Sequence, residues 1–237
     1  MRSENAIVMT EKVLRITPEV HLPPGAGGKA QGLQLIARAG LSIPPAWVVL
    51  RDAAEAEIDA LGEELLRGGE VACVVRSSAE DEDRGATSFA GVHESLLGVR
   101  AQDLRRAVTE VAASTVSRRA RSYRRELGLP PPSGPCSVVV QEMVPADRAG
   151  VAFGIGDDND AVLIEAVEGL GDTAVDGSAT PEMLLLRRIE GAWRPARRTA
   201  RSQGVVTAAS GTGVSRVMLS ELRHGDVLDD RCAAQLA

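Results

Sequence analysis

Residues Pro24 to Leu35 read PGAGGKAQGLQL, and they hold Lys29. Only Lys12 and Lys29 are lysines among the 27 basic residues of the chain. A position needing positive charge alone would have drawn arginine here, so Lys29 points to a need for a compact ammonium on a flexible stem. Glycines beside it let backbone amides approach an anion, and a helix opening just after aims its first N–H groups the same way. This is phosphate-site chemistry at Gly28 and Lys29. It is not the P-loop pattern, because Ala30 stands where that motif needs Ser or Thr. On this stretch alone, a glycine turn with a solvated lysine explains the residues too.

A second constellation is VVRSSAEDEDRGATSFAGVHESLLGV, Val74 to Val99. Arg76 directly follows a short β-branched run and precedes two serines, which puts it at a strand end as a candidate phosphate clamp. Ser88, Phe89, Ala90 and Gly91 combine small residues with one of only two phenylalanines. That suits a flap whose amides cover a polyphosphate while the ring anchors it. The acids from Glu80 to Asp83 would repel a nucleotide unless they face solvent or a metal, and solvent is the expectation.

Composition bounds what such a site can serve. The chain has 237 residues and a formal charge of -6, with a sequence pI near 5.2. There is no overall basic field for nucleic acid, and no apolar run long enough for a membrane span. The N-terminus MRSENAIVMTEK lacks the pattern of a signal peptide, so a cytoplasmic protein is expected. Cys73, Cys136 and Cys232 are widely spaced and unpaired in sequence, which predicts reduced, buried thiols and no zinc site.

Elements alternate along the chain. LQLIARAG predicts a short helix closed by Gly40, and IPPAWVVL leads into an apolar strand. DAAEAEIDALGEELLRGG is helical, with Ile58, Leu61 and Leu65 on one face, and VACVV predicts a buried strand. One long helix is expected from Asp103 to Leu127, with its arginines, including Arg118, Arg119, Arg121, Arg124 and Arg125, on a solvated face. The prolines of LPPPSGP cannot continue a helix or a central strand. They predict a first lobe over residues 1–128, a linker over 129–135 and a β-rich second lobe over 136–237. In the second lobe GVVTAASGTGVS is expected to be a mobile loop, and Ser220 to cap a last helix.

Taken together, GGKAQGL with AGLSIPPAWVV, VVRSSAEDEDRGATSFAGVHESLLGV, VVVQEMVPADRAGVAFGI and IEAVEGLGDTAVDGSATPE resemble four ordered motifs of one family. It is that of the N-terminal ATP-binding domain of phosphoenolpyruvate synthase, pyruvate phosphate dikinase and rifampicin phosphotransferase. The likeness runs from about Pro23 to Pro181.

The resemblance implies an α+β, ATP-grasp-like fold in which two lobes sandwich ATP or ADP with Mg2+. It assigns Lys29 and Arg76 to the phosphates, as the catalytic pair, and Ser88 to Gly91 to the flap. Gln141, Met143 and Val144 then border the adenine, while Glu165, Gly169 and Gly171 line the ribose side. An amphipathic edge strand explains a lone Gln141 or Glu165 equally well. In the family, ATP phosphorylates a histidine on a separate swivelling domain. His21, His93 and His224 lack that domain's sequence context and read as ordinary histidines. The chain also has Asp172 where the family carries glutamate, and the family's magnesium-binding acids would lie beyond Ala237. The expectation is therefore a module that needs a histidine domain, and metal ligands, from elsewhere. The alternative is a nucleotide-binding or regulatory module without catalysis, or a fragment of a longer enzyme.

Overall fold

The structure is a computed structural model describing residues 10–69, 71–79, 95–156, 160–175, 177–199, 205–210, 213–218 and 226–237. Strands β1 (Val13–Arg15), β2 (Ala46–Val49), β3 (Cys73–Ser78), β4 (Ser95–Val99) and β5 (Ser137–Glu142) form one five-stranded sheet. Helices α1 (Gly28–Arg38), α2 (Glu55–Arg67), α3 (Leu104–Ser114) and α4 (Arg118–Glu126) belong to the same unit. The strand order is β1-β2-β5-β3-β4, and every neighbouring pair is antiparallel.

The five strands separate two cores. On one face Trp47, Val49, Cys73, Val75, Val138 and Val140 pack with Ile58, Leu61 and Leu65 of α2 and with Leu104, Val108 and Val111 of α3. On the other face Ala46, Val48 and Val139 pack with Ala26 and with Ala30 of α1. The β-branched runs alternate between the two faces, so both sides of the central strands are apolar.

The predicted long helix is two helices. Ser114 Oγ donates to the Val111 carbonyl at 2.7 Å and Thr115 Oγ1 to that of Ala112 at 3.0 Å. The amides of Val116 and Ser117 turn back three residues, to Ala113 and Ser114. Such hydroxyl back-bonding competes with the helical ladder. Ser117 then caps the next helix, its Oγ accepting from the Ala120 amide at 3.2 Å.

The chain divides into two compact units, Met1–Val144 and Pro145–Ala237. This differs from the expected 129–135 linker. The proline segment leads into β5, whose hydrogen bonds run to β2 on one side and β3 on the other, so it is a loop inside the first unit.

The second unit holds β6 (Arg148–Ile155), β7 (Ala161–Glu168), α5 (Asp172–Val175), β8 (Glu182–Ile189) and β9 (Ala192–Thr199). It continues with β10 (Val205–Ser210), β11 (Gly213–Met218) and α6 (Asp230–Leu236). Strands β6 to β9 form an antiparallel meander in sequence order. The expected mobile loop is instead a hairpin, with Val205 opposite Met218 and Ser210 opposite Gly213. Its valines and threonine supply the β-branched residues a ladder favours. Helix α6 is capped by Asp229, whose Oδ1 accepts from the Cys232 amide at 2.7 Å. Ser220, expected in that role, lies outside the described residues.

Cys73 and Cys136 are buried as expected, but Cys232 is exposed on α6. Burial, with Glu142 nearby, pushes the Cys73 thiol up to about 12. The hydrogen bond from Cys232 to Asp229, and that carboxylate's charge, raise the Cys232 thiol as well. Iodoacetamide at pH 8 is therefore expected to modify Cys232 first and to leave Cys73 untouched until the protein unfolds. Asp229→Ala should speed labelling of Cys232, because the thiolate is the reactive form. Mass spectrometry of timed samples checks both.

Among the described residues no helix is long and apolar enough to cross a membrane.

Candidate functional site

The glycine run is bolted to the end of β3. Pro24–Ala26 make one turn of 3-10 helix, and Gly27 at the helix N-cap has φ +84°. A Cβ on Gly27 would sit 1.9 Å from the Ser78 carbonyl oxygen, so only glycine fits this crossing. Glycine brings no capping side chain, and Ser78 supplies one from another strand: its Oγ accepts from the Ala30 amide at 3.1 Å. The Gly28 amide donates to the Ala79 carbonyl at 3.0 Å. Helix α1 thus begins at Gly28 itself, and Lys29 is its second residue, half-buried between two anchored amides.

That geometry alters the sequence expectation. The amides of Gly28 and Ala30 turn to β3 rather than toward an open anion site. The cationic chemistry at this helix end rests on the Lys29 side chain.

Arg76 lies inside β3, not beyond its end. Its ladder continues through Ser77 opposite Val138 and Ser78 opposite Ser137. The sheet is antiparallel, so the strand-end rule for parallel sheets does not account for its place. Alternation does: Cys73 and Val75 enter the core under α2 and α3, which turns Val74, Arg76 and Ser78 to the α1 face. Arg76 pairs with Val139 and Val74 with Gln141, so Gln141 shares that face. The structure therefore brings Lys29, Arg76 and Gln141 to one side of one sheet. Met143 lies just past β5, its amide donating to the Ala72 carbonyl at 2.9 Å, and Val144 is exposed at the end of the unit. Ser88, Phe89, Ala90 and Gly91, in the connection from β3 to β4, lie outside the described residues, as do His93 and His224. His21 is exposed.

One arginine departs from its expected solvated face. Arg124 is only 6% exposed, and its Nε donates to the Pro130 carbonyl at 2.7 Å. With Arg51 it lines a cavity of about 340 Å³ that Gly25, Ser78, Ala79 and the proline segment enclose. Ser137 ties this wall to the glycine run, donating to the Gly25 carbonyl at 2.6 Å and accepting from the Arg51 amide at 3.2 Å. The signal in the sequence was spacing: Arg124 falls four residues after buried Ala120, on the inward stripe.

In the second unit Glu165 sits on β7 opposite Val151 and Met183. Val162, Ile164, Leu184 and Leu186 pack with Ala233 on one face of this sheet. Glu165 is on the other face, with Phe153 and Met183, which are 47% and 37% exposed. Gly169 has φ +75° and donates to the Asp147 carbonyl at 2.7 Å, while Leu170 donates to that of Thr207 at 2.7 Å. Gly171 follows, and Asp172 then accepts from Thr207 Oγ1 at 2.7 Å and from Arg216 at 3.2 Å through one oxygen. The GLG turn holds β7 to β6 and to β10.

Among the described residues, no group of three or more His, Cys, Asp or Glu gathers closely enough to hold a metal ion.

Comparison with known proteins gives this geometry a family. Residues 49–237 match the model of the pyruvate phosphate dikinase AMP/ATP-binding domain, a stretch that includes Arg76, Gln141 and Glu165 but not Lys29. A probable phosphoenolpyruvate synthase of Methanothermobacter thermautotrophicus is 36% identical over 172 residues, 71% of this chain and 25% of that protein. A rifampicin phosphotransferase of a Streptomyces species is 33% identical over 178 residues, 73% of this chain and 20% of that protein. The prodigiosin synthesizing transferase PigC of Serratia marcescens is 30% identical over 205 residues, 71% of this chain and 23% of that protein. The chain thus spans a quarter or less of the length of these relatives. It belongs to the pyruvate phosphate dikinase AMP/ATP-binding domain family.

Proposed function

We propose that this module has an ATP-grasp-like fold and presents ATP for phosphoryl transfer to a histidine on a separate domain or chain. Lys29 and Arg76 hold the phosphates, and Ser88 to Gly91 cover them. Gln141, Met143 and Val144 border the adenine, and Glu165 with Gly169 and Gly171 line the ribose side. Magnesium ligands come from outside the described residues. The observation that carries the reading is the pair of hydrogen bonds from Gly28 and Ala30 to the end of β3. They fix the helix that bears Lys29 to the strand that bears Arg76, so two cations from distant parts of the sequence share one sheet face. Phosphoryl transfer needs such positioning more than it needs covalent help from the protein. The relatives act, by their names, in phosphoenolpyruvate synthesis and on rifampicin. The chemistry shared by such reactions is a phosphoryl group taken from the nucleotide.

Calorimetry with Mg-ATP and Mg-ADP tests the site. Losing a charged hydrogen-bonding partner costs about 1.5 to 3 kcal/mol, or roughly ten- to hundredfold in affinity. Lys29→Ala and Arg76→Ala should each show that loss. Lys12 pairs with Asp52 on an exposed surface, where such a pair contributes about 0 to 1 kcal/mol, so Lys12→Ala should bind like the parent. Equal losses at Lys12 and Lys29 would mean that net charge, not the site, carries binding.

A further inference from the structure

Helix α4 breaks local electrostatic rules that its neighbour obeys. On α3, Arg105 pairs with Glu55 and Asp59, and Arg106 with Asp103 and Glu110. On α4, Arg118, Arg119, Arg121 and Arg125 are all exposed, and none of their side chains has a hydrogen bond or ion pair among the described residues. Glu126, at the last position, is the helix's one acid. Arg118 and Arg119 occupy the first turn, at the positive end of the helix dipole. Arg121 lies three residues after Arg118 and four before Arg125, spacings at which like charges on a helix repel. A face that needed only to be wet would have mixed signs, as on α3.

We propose that the α4 stripe of Arg118, Arg121 and Arg125 is a docking surface for an acidic polypeptide segment. The three side chains span seven residues, about 10 Å along the helix. That length matches carboxylates at i, i+3 and i+7 of an acidic helix, or at alternate positions of an extended strand. The guanidinium fork suits carboxylates. The exposed side of α4 carries no apolar or aromatic residue, since Tyr123 is half-buried, so it has nothing to insert into a bilayer or to stack on bases. An acidic protein surface is the partner that remains. Self-repulsion along α4 is relieved when it arrives.

The probe is fluorescein-labelled poly-L-glutamate, followed by anisotropy at low ionic strength, with melting temperatures measured in parallel. The parent should bind, and binding should fade as salt approaches about 0.15 M. The variant R118Q/R121Q/R125Q should lose about tenfold or more in affinity while melting at the parent's temperature or above it, because removing like charges relieves repulsion. The variant R187Q/R194Q/R197Q removes equal charge from β8 and β9, and it should stay within about twofold of the parent. Three results overturn the proposal. They are equal losses in both variants, a lowered melting temperature for the α4 variant, and tighter binding of the parent to a labelled oligonucleotide or to phosphatidylserine vesicles than to poly-L-glutamate.

Discussion

Gly27→Ala is expected to destabilise the first unit by about 3 to 5 kcal/mol and to abolish nucleotide binding along with it. The backbone at φ +84° and ψ 168° lies in a region open essentially to glycine alone, and it costs a side-chain-bearing residue about 1 to 3 kcal/mol. The larger effect is contact, because the new methyl would lie 1.9 Å from a backbone carbonyl that belongs to β3 and cannot swing aside. The helix must retreat, and the Gly28–Ala79 and Ala30–Ser78 hydrogen bonds go with it, at about 1 kcal/mol each. A melting temperature lower by on the order of 10 °C, read by circular dichroism, is the expected signature. Gly32→Ala, one helical turn onward in the same glycine run, should do the opposite. Nothing lies within 4 Å of a Cβ there, and alanine is favoured over glycine in a helix by about 1 kcal/mol. If both substitutions destabilise alike, the crossing at Gly27 is not what the glycine serves.

Glu182→Ala should cost the second unit about 2 to 4 kcal/mol. Glu182 is 3% exposed at the start of β8, where Oε1 accepts from Arg198 of β9 and Oε2 from the Val227 amide at 2.7 Å. Removing one member of a buried pair strands the other charge, an effect of about 3 to 5 kcal/mol when no substitute exists. Arg198 keeps partial substitutes in Asp230, at 2.6 Å, and the Leu228 carbonyl, at 2.8 Å, which sets the lower range. Asp230→Ala, at a carboxylate whose side chain is 65% exposed, should change stability by no more than about 1 kcal/mol. Hydrogen exchange separates the two. In Glu182→Ala the amides of residues 226–237 should exchange much faster, because the buried carboxylate ties that segment to the sheet. Unchanged protection there would mean that Arg198 and the packing around Ala233 hold α6 without the buried carboxylate.

Residue type and local spacing made part of this structure legible. The rarity of lysine singled out Lys29, and the three-and-four spacing of Ile58, Leu61 and Leu65 located α2. Gly40 closes α1 with φ +79°, as its place after an apolar-periodic run suggested. The break between α3 and α4 was readable too, since Ser114, Thr115 and Ser117 are hydroxyl residues in the middle of a presumed helix. What local reasoning missed is set by pairing across long separations. Ser78 caps a helix 48 residues away, and no period in either segment encodes that contact. The strand-end rule that makes Arg76 a clamp holds for parallel sheets. In an antiparallel sheet its role depends on which face it occupies, and only the register with β5 reveals that. Prolines interrupt elements and so suggest a boundary, yet interruption does not say which sheet the next strand joins.

The place of β5 also has consequences for how the molecule is made. Until Ser137–Glu142 leave the ribosome, β2 and β3 have no ladder in common, and each presents a bare edge of backbone amides and carbonyls beside valines. The nascent chain can form the β1-β2 and β3-β4 pairs and the three-turn helices, but these remain halves of a sheet awaiting its middle. Fragments that stop before Ser137 are thus sticky in the manner of open strands, and a stalled or nicked chain becomes a substrate for chaperones and proteases rather than a smaller stable domain. Only with β5 paired on both sides do the β1-β2 and β3-β4 pairs become one continuous sheet.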